Sequence, residues 1–158
     1  MKLIEVENKD IKDLAKLANE IWHEYWPCIL STEQIEYMVE KFQSEKAIIN
    51  QMANENYKYF FINFEGRNVG YVGISTKQAY LFLSKLYIKK DFRHKGLGKK
   101  AFEAIKKFGY NKIQLTVNKY NKYTIDAYLK YGFKIIDSVV SDIGNGFVMD
   151  DYIMEYCK

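Results

Sequence analysis

Apolar residues in the first third of the chain follow first a strand-like and then a helix-like spacing. Residues 3–7 alternate in polarity and predict a first strand. An apolar stripe over residues 11–26 predicts an amphipathic helix, which Pro27 ends. Ser31, with Gln34 three positions later, predicts the start of a second helix, and helical spacing continues to about residue 54.

The middle of the chain is typical of strands. Residues 57–64 are rich in aromatic side chains, and after a turn at residues 65–68 a second strand is expected over residues 69–75. The apolar run at residues 78–88 is long, so we expect a central strand that is covered on both faces.

The second half alternates between helices and strands. A turn with two glycines precedes a helix that reaches about residue 108, and strand 113–117, helix 121–131 and strands 133–140 and 147–156 follow. The predicted order is β-α-α-β-β-β-α-β-α-β-β. This order indicates a mixed α/β layer with antiparallel strands first and βαβ crossovers later, in one domain over residues 1–158.

Composition narrows the class of protein. The chain has 158 residues, of which 48% are apolar and 28% charged, which excludes a disordered or collagen-like chain. Two cysteines and two histidines are too few for a disulfide framework or a zinc pattern, so we expect no metal. No signal peptide or membrane-spanning run is visible, and a cytoplasmic protein without membrane partners is expected.

Charge is distributed unevenly along the chain. Residues 1–57 carry 6 Lys and 11 Asp or Glu, a net charge of −5. Residues 85–112 carry 10 Lys or Arg against two acidic residues, a net charge of +8. The basic stretch would suit a polyphosphate or a nucleic acid, but its residues cluster at a helix start, so nucleic acid is the weaker alternative.

The strongest local motif is Arg93-His94-Lys95-Gly96-Leu97-Gly98, between a strand and a helix. Glycines allow the backbone to approach a ligand closely, and the amides at a helix start bind anions. A Walker A loop is excluded because Lys100 stands where Ser or Thr is needed. A dinucleotide fingerprint is also excluded, because the preceding strand is not the first one.

Three segments together resemble the GCN5-related N-acetyltransferase (GNAT) superfamily. Its Arg/Gln-x-x-Gly-x-Gly/Ala loop matches residues 93–98, its two asparagines match Asn118 and Asn121, and its Tyr-x-Lys-x-Gly-Phe ending matches residues 128–133. The resemblance implies a GNAT-like α/β fold of the α+β type, with a central mixed, mostly antiparallel sheet.

The resemblance also implies acetyl-CoA as the acyl donor. The backbone of Leu86, Tyr87 and Ile88 would pair with the pantetheine amides, and Asn118 and Asn121 would contact that arm or order the loop beside it. The pyrophosphate would lie against the loop and the first helical turn, formed by Arg93, His94, Lys95, Gly96, Leu97, Gly98 and Lys99.

The implied reaction is direct acetyl transfer to a primary amine. Tyr128 stands at the family's acid position, where a phenol can protonate the leaving thiolate. An alkyl ammonium, with a pKa of about 10.4, must lose a proton first, so a base is needed. Our candidate base is Glu24 on the first helix; the alternatives are Glu20, His23, Asp150, Asp151 and a water held by Ser84. A cysteine nucleophile is not favoured, because apart from His23 near Cys28 no histidine is usefully placed.

The acceptor is inferred only from charge and aromatic content. The acidic N-terminal third favours a small cationic amine, with Trp22, Tyr25, Trp26 and Tyr37 as possible aromatic walls. The alternative is a non-catalytic domain that senses acyl-CoA or acts as a scaffold. Aromatic residues near the C-terminus also make a homodimer an expectation.

Overall fold

The computed structural model describes residues 1–158 and contains seven strands and five α-helices. In chain order these are β1 (Lys2–Glu5), α1 (Ile11–Tyr25), α2 (Thr32–Met38), α3 (Glu45–Asn54), β2 (Tyr57–Phe64), β3 (Arg67–Thr76), β4 (Leu81–Ile88), α4 (Leu97–Lys106), β5 (Lys112–Asn118), α5 (Lys122–Lys130), β6 (Lys134–Gly144) and β7 (Phe147–Cys157).

All seven strands belong to one sheet, in the order β1-β2-β3-β4-β5-β7-β6. Every neighbouring pair is antiparallel except β4 and β5, which are parallel. The parallel pair is joined through α4, because parallel strands need a crossover connection of a dozen or more residues. The predicted mixed, mostly antiparallel sheet is therefore confirmed.

The parallel pair at the centre of the sheet is very short. Only Leu81–Ile113 and Phe82–Gln114 are paired, and beyond them β4 and β5 separate. An irregularity in β4 accompanies the separation: Gly73 of β3 faces Lys85, whereas Ile74 faces Leu83, so that Ser84 is an extra residue. A bulge of this kind bends a strand, and here it occurs where the two strands diverge.

Two elements differ from the sequence-based prediction. Strand β4 begins at Leu81 rather than at residue 78, because residues 78–80 form a bend after β3. The second predicted helix is divided: a π-helical turn at Val39–Gln43 follows α2, and Ser44 then adopts an extended conformation. The Ser44 side chain accepts a hydrogen bond from the Ala47 amide, which starts α3 as a separate helix.

Helices cover both faces of the sheet. On one face, α1 and α3 pack on Tyr59, Phe61 and Tyr71. On the other face, α4 and α5 enclose the larger core, in which Phe102 is completely buried. No helix in the chain is both long and apolar enough to cross a membrane.

Phe102 connects α4 to the C-terminal part of the sheet. Its ring centroid lies 5.0 Å from that of Phe133, 5.3 Å from that of Tyr156 and 5.8 Å from that of Tyr131. We expect Phe102→Ala to lower the free energy of unfolding by about 3–5 kcal/mol, because it leaves a cavity among these rings. Urea denaturation would measure this.

The matched control for this prediction is Ile49→Ala, at a helix position whose side chain is 53% exposed. Its loss is expected within about 0.5 kcal/mol. Equal losses in the two variants would contradict the assignment of Phe102 as the connecting residue.

Candidate active site

A first cavity of about 440 Å³, here called the donor cavity, lies at the end of β4, beyond the point where β4 separates from β5. It lies among the end of β4, the loop before α4 and the first turns of α5. Its walls are mostly apolar; they include Leu86, Tyr87, Ile88, Arg93, His94, Gly98, Asn121, Tyr123, Thr124, Ala127 and Tyr131. Six of the predicted cofactor residues in the strand and loop, together with Asn121, are thus brought together.

The loop before α4 presents unpaired amides to its surroundings. None of the backbone amides from His94 to Lys99 donates to a backbone carbonyl, and the first helical bond of this region runs from the Lys100 amide to Gly96 O. Gly96 has φ +74° and caps the helix start, a conformation that suits glycine. Free amides at a helix start form an anion site.

The predicted loop residues contribute in different ways. Leu97 is buried in the core, so only its amide is available, whereas Lys95 and Lys99 are exposed. His94 accepts or donates a hydrogen bond with the Tyr123 hydroxyl (2.8 Å), which ties the loop to α5. A cation-rich loop over free amides is the electrostatic setting that a pyrophosphate needs.

Arg93 is held at the floor of this cavity. Its Nε donates to Ile88 O (2.8 Å), and its guanidinium lies 4.6 Å from the centroid of the Tyr25 ring. One terminal nitrogen, Nη2, is buried without a partner in the protein. A buried guanidinium nitrogen that lacks an acceptor is costly, so this observation fits a ligand that supplies one.

A second cavity of about 340 Å³, the acceptor cavity, adjoins the first. Six residues line both cavities: Tyr25, Leu86, Tyr87, Asn121, Thr124 and Tyr128. The acceptor cavity extends from this shared wall between β4 and β5 to the π-helical turn. The Tyr37 hydroxyl donates to Ile143 O (2.7 Å), and Gln34 Nε2 donates to Val148 O (3.0 Å). These bonds fasten α2 to the β6–β7 hairpin and close one side of the cavity.

Tyr128 lies at the junction of the two cavities. The neighbouring Tyr25 hydroxyl is held by Asn121 Nδ2 (2.6 Å) and Thr124 Oγ1 (2.5 Å), whereas the Tyr128 hydroxyl has no hydrogen-bond partner in the protein. Burial, with smaller effects of Tyr25 and Tyr131, raises the pKa of Tyr128 well above its ordinary value. The phenol therefore keeps its proton at neutral pH and is free to donate it.

Asp151 is a buried carboxylate in the wall of the acceptor cavity. It lies on β7 opposite Asn118, is 8% exposed, and its Oδ1 is buried without a partner. Burial first, and the charge of Asp150 second, raise the pKa of Asp151 to about 6, although Lys119 opposes the shift. Such a carboxylate is ionised at neutral pH but can accept a proton there.

Ser84, the proposed water-holding alternative, lines the acceptor cavity, whereas the four other candidate bases lie outside both cavities. Glu24 accepts a hydrogen bond from the Lys90 amide (3.1 Å), and Glu20 pairs with Lys89 (3.2 Å). His23 is bonded to its own helix through Asn19 O, and Asp150 pairs with Lys119 (2.7 Å). The structure thus places Asp151, and not Glu24, in the cavity that Tyr128 also lines.

The two predicted asparagines order the segment between β5 and α5. Asn118 Oδ1 accepts from the Tyr120 amide (2.9 Å), and the Asn121 amide donates to Asn118 O (3.0 Å). Both side chains line the acceptor cavity, and Asn121 also lines the donor cavity. Their hydrogen bonds explain why short polar side chains occupy the end of this strand.

Lys85 is a functional candidate that the sequence did not reveal. Lys85 belongs to the basic stretch of residues 85–112, but it is 5% exposed and lines the acceptor cavity. Burial lowers the pKa of Lys85 to about 7, although Glu55 opposes the shift. The sequence feature that indicates its burial is its position inside an apolar strand. Other lysines of the stretch are paired at the surface, as Lys106 is with Glu103 (2.8 Å).

Aromatic rings form much of the acceptor cavity. Trp22, Tyr25 and Trp26 surround Tyr87, with ring centroids between 5.6 and 6.4 Å from the Tyr87 centroid. All four residues line the acceptor cavity. Tyr37, a fourth predicted wall, instead contacts the hairpin at Ile143 and does not line it.

The Asp151 carboxylate leads to a prediction about stability. The folded pKa of Asp151, about 6, lies above the ordinary 3.8, so the folded state binds this proton more tightly than the unfolded state does. The stability that the bound proton contributes is present at low pH and is lost as the pH rises through about 6. We expect Asp151→Asn to raise the free energy of unfolding at pH 8 by about 1–2 kcal/mol, since solvent in the cavity screens part of the charge.

Urea denaturation at pH 5 and pH 8 would measure this, and the gain should be smaller at pH 5. Asp126→Asn is the control, because Asp126 is exposed on α5 and lines neither cavity, so this variant should change the free energy of unfolding little at either pH. A pH dependence of Asp151→Asn that parallels that of the wild type would contradict the burial of an ionised carboxylate.

Comparisons with known proteins identify the family. A family model described as an acetyltransferase (GNAT) domain matches residues 29–155. The chain is 27% identical over 150 residues to a spermidine N(1)-acetyltransferase of Thermoplasma acidophilum, covering 90% of this chain and 91% of that protein.

Two solved structures share the fold. A PaiA N-acetyltransferase from T. acidophilum, in complex with coenzyme A, superimposes with a TM-score of 0.79 at 24% identity, over 99% of this chain and 98% of that one. A GCN5-related N-acetyltransferase from Rhodopseudomonas palustris gives a TM-score of 0.79 at 16% identity, over 99% and 95% of the two chains. With two adjoining cavities at the separated strands and a family match over most of its length, the chain belongs to the GNAT acetyltransferase family.

Proposed function

We propose that the protein transfers the acetyl group of acetyl-CoA directly to the primary amine of a small cationic molecule. The observation that carries this proposal is the pair formed by Tyr128 and Asp151. The Tyr128 hydroxyl and one Asp151 oxygen lack partners in the protein, and both residues line the acceptor cavity, Tyr128 at its junction with the donor cavity.

Acetyl-CoA supplies an activated acyl group, and the residues of the donor cavity suit its parts. The free amides of residues 94–99 and the Arg93 guanidinium would hold the pyrophosphate. The backbone of Leu86, Tyr87 and Ile88, left without a strand partner on the β5 side, would bond the pantetheine amides.

Proton movements in the reaction are assigned to the two unpartnered groups. Asp151 accepts the proton that the substrate ammonium loses, either directly or through a water, so that a neutral amine can form the new N–C bond. As the C–S bond breaks, Tyr128 donates its proton to the thiolate sulfur, and the surplus proton on the attacking nitrogen passes to the Tyr128 phenolate, which leaves the amide, free CoA thiol and a neutral phenol. Asp151 replaces Glu24 as the proposed base, because Glu24 is bonded to the Lys90 amide outside both cavities.

The acceptor cavity supports a small cationic acceptor. Aromatic faces from Trp22, Trp26 and Tyr87 attract an ammonium group, and Asp151 supplies the opposite charge. The contact between α2 and the β6–β7 hairpin closes one side, which favours a small molecule over a protein chain end. The relative named for spermidine makes polyamines one acceptor class to be tested.

A non-catalytic acyl-CoA sensor or scaffold is the alternative proposal. It would need the donor cavity but would have no use for a free phenol and a free carboxylate in the acceptor cavity. Release of free CoA thiol from acetyl-CoA in the presence of pooled amines separates the two. No release above the blank from any pool, with acetyl-CoA bound, would favour the sensor.

The loop assignment predicts the effect of a bulky side chain at residue 98. A Cβ at Gly98 would lie 3.5 Å from the Tyr131 hydroxyl, so that Gly98→Ala fits and should bind acetyl-CoA almost normally. The indole of Gly98→Trp would fill the part of the donor cavity beside the loop amides. We therefore expect at least a tenfold weaker affinity for acetyl-CoA, equivalent to about 1.4 kcal/mol. Calorimetry with acetyl-CoA measures both variants, and equal affinities would contradict the assignment.

The acid assignment predicts a selective loss of turnover. We expect Tyr128→Phe to lower kcat by about 100-fold, the lower end for general acid catalysis, with little change in the dissociation constant for acetyl-CoA. Tyr120→Phe is the control, because Tyr120 is 70% exposed and lines neither cavity. A Tyr128→Phe enzyme that matches the wild-type rate across the pH range would rule out the acid role.

A further inference from the structure

The acceptor cavity contains only two charged side chains, Asp151 and Lys85. Asp151 pairs with Asn118, four residues beyond the last β5 residue that pairs with β4, so it lies toward the open end of the separation, where Tyr87 stands on β4. Lys85 precedes Tyr87 by two positions on β4 and is therefore deeper in the separation between the strands. An acceptor whose amine reaches Asp151 thus meets a positive charge further along the cavity.

Lys85 is surrounded by acceptors that match its three protons. Its Nζ donates to Phe42 O (2.6 Å), to Gln51 Oε1 (3.1 Å) and to the Tyr59 hydroxyl. The Tyr59 hydroxyl itself donates to Gln51 Oε1, so it can only accept from the lysine. The arrangement fits an ammonium group and leaves it no proton with which to bind a substrate.

The neighbouring polar groups are also occupied. Gln51 Nε2 donates to Phe42 O (3.1 Å), the Gln43 Oε1 atom accepts from the Tyr71 hydroxyl (2.9 Å), and the Tyr57 hydroxyl donates to Ser84 Oγ (2.7 Å). A second substrate ammonium in this part of the cavity would therefore meet the Lys85 charge and find the strongest nearby acceptors already used. Both effects are unfavourable for a buried cation.

The remaining surface of the cavity is suited to an apolar body. Of the 26 residues that line it, 16 are hydrophobic. Rings and thioethers from Trp22, Trp26, Met38, Phe42 and Met149 lie on the side of α1, α2 and the hairpin. Met side chains adapt to ligands of varied shape, and aromatic rings stack on them.

We infer that the acceptor is a monoamine with an apolar or aromatic body, and that Lys85 is the residue that excludes polyamines. This inference rests on the proposed function, since it names the substrate class of the same site. It differs from what the spermidine-named relative would suggest. Lys85 acts as a specificity residue: it repels a second positive charge and does not take part in proton transfer.

The test compares matched amines at pH 6.0, about one unit below the pKa of about 7, so that most Lys85 side chains carry their proton. The probes are n-pentylamine and 1,5-diaminopentane, which differ by one ammonium group, together with 2-phenylethylamine and spermidine. For the wild type we expect kcat/KM for each monoamine to exceed that for the diamine and spermidine by at least about tenfold. Equal or higher values for the polyamines would overturn the inference.

Variants of Lys85 and of its partner Tyr59 distinguish the effect of the Lys85 charge from the effect of its hydrogen-bond network. We expect Lys85→Met to bring the pentylamine-to-diamine ratio to within about threefold, because the repulsion is removed. Lys85→Arg keeps the charge and should keep most of the ratio. Tyr59→Phe loosens the same network without removing the charge, and its ratio should also stay near that of the wild type. A Lys85→Met enzyme that loses activity equally toward both amines would overturn the role in specificity.

Circular dichroism and acetyl-CoA affinity would show whether each variant is folded. If no amine is acetylated although acetyl-CoA binds, the proposed function fails. Calorimetry of pentylamine and 1,5-diaminopentane binding to the CoA complex then still measures the ratio. A diamine that binds as tightly as pentylamine would overturn the inference on its own.

Discussion

The separation of β4 and β5 in the middle of one continuous sheet is the constraint on which the rest of the structure depends. The two strands share only two residue pairs, and then the backbone of each has no strand partner on the facing side. Buried backbone groups need hydrogen bonds, so a ligand with its own amides fits this gap. The bulge at Ser84 and the full pairing of β5 with β7 keep the two halves of the sheet apart.

The division into two cavities follows from this separation. The loop before α4 and the start of α5 border one end of the gap, and α1, α2 and the β6–β7 hairpin border the other. Tyr128 stands between them because α5 packs across the gap, with the Tyr128 ring held near those of Tyr131 and Phe133. The donor side is rich in free donors, whereas the acceptor side is mainly aromatic with one carboxylate and one buried lysine. This contrast gives each side a different ligand chemistry.

Some of this arrangement could be predicted from the sequence, because it depends on local patterns. The order of the strands and helices follows from the spacing of apolar residues, and the loop at residues 93–98 combines glycines and basic residues at a helix start, which is typical of an anion site. The base could not be chosen in this way. Glu24 and Asp151 look equally free in the sequence. In the fold, the packing of β7 against β5 buries Asp151, whereas Glu24 on α1 accepts a hydrogen bond from the Lys90 amide.

The buried lysine shows a similar limit. Lys85 lies among ten basic residues in a 28-residue stretch, and their number alone indicates a polyanion site. The π-helical turn and α3 supply the acceptors that surround Lys85, but they are more than thirty residues away in sequence. A contact over that distance depends on the whole fold. The division of the predicted second helix at Ser44, which positions this turn, was likewise not evident from its apolar spacing.

The central claim is that the donor thiol lies at the junction of the two cavities, between the separated strands. A crystal structure of the protein with coenzyme A tests it most directly, through the distance from the CoA sulfur to the Tyr128 hydroxyl oxygen. The account predicts a sulfur within hydrogen-bonding distance of that hydroxyl and a pantetheine arm bonded to the backbone of Leu86–Ile88. A pantetheine arm outside the gap, or a sulfur remote from Tyr128, would contradict it.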